Sequence, residues 1–132
     1  MFKVELYSPR GFYKKLDATL LNVVTNDGER GILSNHMSLV SPLVISRLEV
    51  VNDNKKDYYA ISNGVLYFKD NVARVVVESI EHKSEIDIKR AEAARDRAIL
   101  NIESKNPDIN IKRAEVALKR AMNRIEIYHL DQ

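Results

Sequence analysis

The chain has 132 residues, 21 Lys and Arg against 19 Asp and Glu for a formal net charge of +2, and no cysteine. That length supports one or two small domains around a modest core, the near balance of charge argues against a dedicated nucleic-acid binder, and a disulfide framework or thiolate metal site is excluded. His36, His82 and His129 are too scattered for metal-ligand spacing. No apolar run approaches the roughly 20 residues that cross a bilayer, and the N-terminus lacks the apolar stretch of a secretory signal. A cytosolic chain, able to dock on a membrane-bound partner, is therefore expected.

Up to about Lys83 the apolar residues come in short runs rich in β-branched and aromatic side chains: 2–7, 18–25, 45–51, 57–62, 64–68 and 72–80. Phe2, Val4 and Leu6 alternate with Lys3, Glu5 and Tyr7, the period of a half-buried strand. Ser8-Pro9-Arg10-Gly11, Asn26-Asp27-Gly28, Asn52-Asp53-Asn54, Asn63-Gly64 and Asp70-Asn71 are turn signals between the runs. Closely spaced short strands predict an antiparallel sandwich or barrel over residues 1–83. The stretch Gly31–Leu39 reads as an exposed loop whose Ile32, Leu33, Met37 and Leu39 suit a protein contact. Within it, His36 has no nucleophile or paired acid beside it in sequence, so catalysis is not expected.

From Ser84 the pattern changes to Ala, Arg, Lys, Glu and Ile. Ser84-x-x-Asp87 resembles a capping box, and a helix is predicted over 85–102 with Ala91, Ala94, Ala98 and Ile102 at helical spacing. Pro107 ends it, and Asp108 is the predicted N-cap of a second helix with the seam Ile111, Ala114, Leu118, Ala121 and Ile125. The short connection makes residues 84–132 an antiparallel two-helix hairpin. Its alanines allow close approach but bury little area, at about 25 cal/mol per Å², so its docking is expected to be conditional. Two stretches, IDIKRAEAARDRA from Ile86 and INIKRAEVALKRA from Ile109, are nearly the same and fall on the two arms.

Arg90 and Arg97 lie two turns apart on one face of the first helix, and Arg120 and Arg124 one turn apart on the second. Facing helices can bring four guanidinium groups together, and such planar donors suit phosphate oxygens. From spacing alone the solvated charged face is the favoured alternative, with Asp87 and Arg90 an ordinary pair one turn apart or Asp87 a capping acid. No Walker-type or GxGxxG phosphate loop is present.

Four motifs in order then carry a resemblance that spans the chain. GERGILSNHMSLVSPL (28–43), YYAISNGVLYFKDNVARVVVESIE (58–81), IDIKRA (86–91) and KRAEVALKRAMNRI (112–125) resemble segments of the epsilon subunits of F-type ATP synthases, and the last is similar to those of the ATP-binding bacillus type. The resemblance implies a non-catalytic rotor subunit: a β-sandwich binding the gamma subunit and the c-ring, and a hairpin that is either compact or extended toward the catalytic alpha and beta subunits, where it blocks ATP hydrolysis. It implies ATP as a regulatory ligand of the compact hairpin at Glu81, Ile86, Asp87, Arg90, Ala91, Arg97, Arg120 and Arg124, with no other cofactor required. It also implies a c-ring interface at Glu29, Arg30 and His36. Arg30 stands where the family has leucine, and its charge is expected to meet an acidic c-ring residue. Such a subunit sits peripherally on the cytoplasmic face of a bacterial plasma membrane as part of the synthase, without inserting into the bilayer. The competing reading is a stand-alone adaptor that recruits an unrelated partner, separable by co-purification with alpha, beta and gamma subunits.

Overall fold

The computed structural model describes residues 1–131; Gln132, the last residue assigned above to the hairpin, lies outside the described residues. The strands are β1 (Phe2–Ser8), β2 (Gly11–Ala18), β3 (Leu20–Thr25), β4 (Gly28–Leu33), β5 (Leu39–Leu43), β6 (Ser46–Asn52), β7 (Lys55–Ile61), β8 (Gly64–Lys69), β9 (Val72–Val77) and β10 (Ile80–His82). A 3₁₀ turn at Lys83–Glu85 leads to helices α1 (Ile88–Glu103) and α2 (Ile111–Tyr128). The strands form two five-stranded sheets, β2-β1-β9-β8-β5 and β10-β7-β6-β3-β4, and all pairs are antiparallel except β1 with β9. The expected sandwich followed by a helical hairpin is therefore the observed architecture.

The alternating residues that predicted the strands fill the space between the sheets. Val4, Leu6, Leu21, Ile32, Leu48, Leu66, Val75 and Tyr59 are all fully buried there. The hairpins close on residues that tolerate a left-handed backbone: Asp70 and Asn71 both have positive φ in the two-residue β8–β9 turn, the geometry that matches strand twist.

All four outer strands differ from the expected runs. The stretches 11–18 and 39–43 had no strand assigned and form β2 and β5, 28–33 fell partly in the predicted loop and forms β4, and the single run 72–80 divides into β9 and the start of β10. β2 and β4 have one buried residue apiece, Ala18 and Ile32. An outer strand needs little apolar content, and charges such as Lys14, Lys15, Glu29 and Arg30 keep its open edge from pairing with other chains. Ile32 accordingly lies in the core and is no surface contact.

The helix starts also shift. His82 and Glu85 form the capping box, around the 3₁₀ turn rather than at Ser84. The chain is extended at Ile86, and Asp87 is the N-cap of α1, its carboxylate accepting the backbone N–H of Arg90 at 3.2 Å. Asn110, not Asp108, caps α2 by accepting the N–H of Arg113 at 3.1 Å, while Asp108 donates its own N–H to Asn106 in a preceding turn. The two similar stretches thus begin alike because each carries its N-cap at the second position and Arg at the third helical position.

The helices meet along Ala91, Ala98, Ala114 and Ala121, all buried. The hairpin docks through a small separate cluster in which Ile86 and Ile127 cover Tyr58 and Ala60 of β7, with Leu130 beside them. Asn123 of α2 donates to the carbonyl of Ser46 at 2.9 Å. Strand β7 is thereby covered on both faces, Tyr59 and Ile61 inward and Tyr58 and Ala60 toward α2.

Candidate functional site

The chain crosses between the sheets twice at one corner. β7 passes to β8 through Ser62-Asn63, and β9 returns to β10 through Glu78-Ser79. The crossings are bonded to each other: Ser62 N–H to the Ser79 carbonyl at 3.1 Å, Glu78 N–H to the Asn63 carbonyl at 3.0 Å, and Ser79 N–H to the buried Ser62 hydroxyl at 2.8 Å. Two carboxylates flank this corner, Glu78 and Glu81, and α2 lies against it. Arg120 reaches Glu78 at 3.5 Å and Arg124 reaches Glu81 at 3.0 Å.

Beside this contact opens a cleft of about 310 Å³ lined by Glu81, Asp87, Arg90, Ala91, Arg97 and Arg124, with Ala93 and Ala94 completing its wall. Three guanidinium groups from two helices face two carboxylates, one already paired to Arg124. Arg97 and the Arg90 side chain have no ion-pair partner among the described residues. Alanines on the wall leave room between the arginines. Such a pocket can hold a compact polyanion through charge-assisted hydrogen bonds. Among the described residues, no group of three or more His, Cys, Asp or Glu is placed to hold a metal ion.

Two of the predicted residues lie outside the wall. Ile86 is buried in the docking cluster and does not line the cleft. Arg120 is engaged by Glu78, and its buried Nε has no acceptor among the described residues. Sequence reasoning missed Ala93 and Ala94, whose part follows only from the pairing of the helices, and Asn123, whose side chain ties α2 to β6.

The second predicted group is not gathered in one place. Glu29 and Arg30 open β4, whereas His36 follows its far end; four residue steps from Glu29 to Leu33 span about 13 Å. Glu29 is exposed and lies 3.9 Å from Arg47, which stacks over Tyr58. The His36 Nδ1 lies 2.8 Å from the Met37 carbonyl, and its ring meets the edge of Phe68. Asn71 holds this turn, accepting the Asn35 N–H at 2.7 Å.

A third polar cluster sits at the linker between sandwich and hairpin. The Tyr13 hydroxyl donates to the Glu85 carboxylate, which also accepts the His82 N–H at 2.9 Å. Burial, then Glu85, pushes the Tyr13 hydroxyl up to about 12, while the Tyr13 hydroxyl and the His82 N–H hold Glu85 below its ordinary 4.5, with partial burial opposing. The other titratable groups facing the pair are His82, Lys14 and Glu81. Because Glu85 is depressed in the folded chain, its contribution is complete above pH 4.5 and lost as pH falls through its lowered value. Because Tyr13 is raised, its contribution is complete below pH 10.0 and lost as pH rises through about 12. The His82 amide proton, followed by NMR, is therefore expected to exchange at a constant intrinsic-corrected rate between these limits and faster outside both.

With this geometry in hand, comparison with known proteins identifies the chain. Residues 1–83 match the family model of the ATP synthase delta/epsilon chain beta-sandwich domain, and residues 84–128 that of its long alpha-helix domain. An ATP synthase epsilon chain of Lactobacillus helveticus is 40% identical over 98% of this chain and 93% of the relative, and one of Lactobacillus delbrueckii subsp. bulgaricus is 35% identical over 97% and 92%. A chain in the structure of the Euglena gracilis mitochondrial ATP synthase OSCP/F1/c-ring assembly superposes with a TM-score of 0.83 at 26% identity, covering 96% of this chain and 80% of that one. The chain belongs to the ATP synthase delta/epsilon family, as an epsilon subunit.

Proposed function

We propose that this epsilon subunit serves the central stalk, joining gamma to the c-ring through its sandwich, and that its hairpin regulates ATP hydrolysis. The compact hairpin binds ATP in the arginine cleft. When ATP leaves, the hairpin extends along gamma toward the alpha and beta subunits and blocks hydrolysis. The chain performs no catalysis of its own; it sits peripherally, on the cytoplasmic face of the membrane, with the rest of the synthase. Glu29, Arg30 and His36 would serve the c-ring contact from two ends of β4.

The observation that carries this reading is the convergence of Arg90, Arg97 and Arg124 on one cleft that exists only while α1, α2 and β10 are packed together. A ligand held there has affinity for the compact arrangement alone, and a difference in affinity between two states is what shifts their populations. The thin alanine seam makes a modest bias effective.

Isothermal titration of the purified chain with ATP tests the ligand. One site is expected, with weaker binding in Arg90→Ala; no heat at millimolar ATP overturns the nucleotide assignment. Adding the chain to alpha, beta and gamma subunits tests regulation. ATP hydrolysis at low ATP is expected to fall with the full chain and to stay unchanged with a chain ending at Lys83.

A further inference from the structure

The hairpin leaves the sandwich through residues 83–87, between β10 and α1, so any swing of the hairpin must change the backbone there. In the structure these residues are held by a set of contacts that does not belong to the arginine cleft. The Glu85 carboxylate takes the Tyr13 hydroxyl and the His82 N–H. The His82 ring is fixed in turn: Nδ1 accepts the Ser84 N–H at 3.1 Å, so Nε2 carries the proton and donates to Asp57 at 3.0 Å. The same ring meets the edge of Tyr59 at 5.0 Å, and Tyr13 meets Tyr59 at 6.3 Å.

A capping box is local. His82 and Glu85 are three residues apart, and the box by itself can travel with the linker. Tyr13 is different. It lies on β2, 72 residues away, in the opposite sheet from β10. Its hydroxyl closes the sandwich edge over the turn and joins the turn to both sheets. We propose that Tyr13, acting on Glu85 with His82, is a lock on the linker that sets how readily the hairpin leaves the sandwich, separately from the cleft that senses the ligand. None of the three residues lines that cleft. The proposal rests on the reading that the hairpin moves, and it assigns to the linker one part of the resting bias that no ligand supplies.

Cysteine is absent from the chain, so Lys69→Cys on β8 and Leu100→Cys on α1, both exposed, take nitroxide labels without a background. Pulsed dipolar spectroscopy on the full chain without nucleotide then gives the populations of near and far hairpins. In this labelled chain, Tyr13→Phe keeps the ring on Tyr59 and removes only the hydroxyl. It is expected to raise the far-to-near ratio about fivefold, the size of one lost hydrogen bond. Glu85→Ala, on the exposed linker and outside the core, is expected to raise it at least as much. The sandwich should stay folded in both, with cooperative urea unfolding retained. Ile127→Ala, which empties the docking cluster, is the reference for an opened hairpin. If Ile127→Ala opens the hairpin and neither Tyr13→Phe nor Glu85→Ala does, the lock is overturned while the moving hairpin stands. If none of the three opens it, the moving hairpin is overturned and the lock falls with it.

Discussion

Gly64→Ala is expected to destabilise the sandwich by about 3 kcal/mol or more, at the upper end of what overpacking costs. A Cβ at this position would lie 2.2 Å from the Val76 carbonyl oxygen and 2.7 Å from the Val77 Cα. Both are backbone atoms, so no side-chain rotation relieves the clash. Gly64 begins β8 between Leu43 and Val77, just after the chain has crossed from one sheet to the other. There the two crossings press together, and a glycine in a strand marks such a close approach. Urea unfolding should show a lower midpoint with an unchanged slope. Gly31, on β4 of the other sheet, is the contrast: its Cβ would meet a side-chain atom of Asn22 at 3.2 Å, and Gly31→Ala should cost far less.

The arginines of the cleft should separate ligand binding from hairpin docking. Arg97→Ala removes a guanidinium without an ion-pair partner among the described residues, so it should weaken ATP binding about ten- to a hundredfold and leave the ligand-free hairpin where it is. Arg124→Ala removes a cleft residue and the 3.0 Å partner of Glu81 together. It should weaken ATP binding at least as much and also loosen the ligand-free hairpin, because apparent affinity falls with the fraction of chains able to bind. Titration calorimetry reads the first effect; hydrogen exchange over α2 in the absence of ATP reads the second. Equal exchange in both variants would show that the Glu81 pair, about one-third exposed to solvent, holds nothing.

The central strands were legible because a strand buried on one face must alternate, as Phe2, Val4 and Leu6 do. β7 was legible for the opposite reason: Tyr58-Tyr59-Ala60-Ile61 is a continuous apolar run, and such a run belongs to a strand covered on both faces. That run was itself a signal that something packs on the outside of the sheet, and Ile127 and Ile86 are what packs there. The outer strands β2 and β4 escaped because water, not a neighbour, covers most of their side chains. The cap positions of α1 and α2 escaped because Ser84, Asp87, Asp108 and Asn110 all have capping side chains, and the choice among them depends on where the backbone turns.

The sequence by itself determined the division into a strand-rich half and a helical half, the alanine seam, and which arginines share a helix face, since periods of two and 3.6 residues are properties of the local backbone. Only the tertiary structure decided which of those arginines meet. α2 lies against the sandwich corner so that Arg124 joins Arg90 and Arg97 at the cleft while Arg120 is drawn to Glu78. It also brought Tyr13 to Glu85. Both outcomes depend on contacts between residues far apart in the chain, and no local periodicity encodes the distance between them.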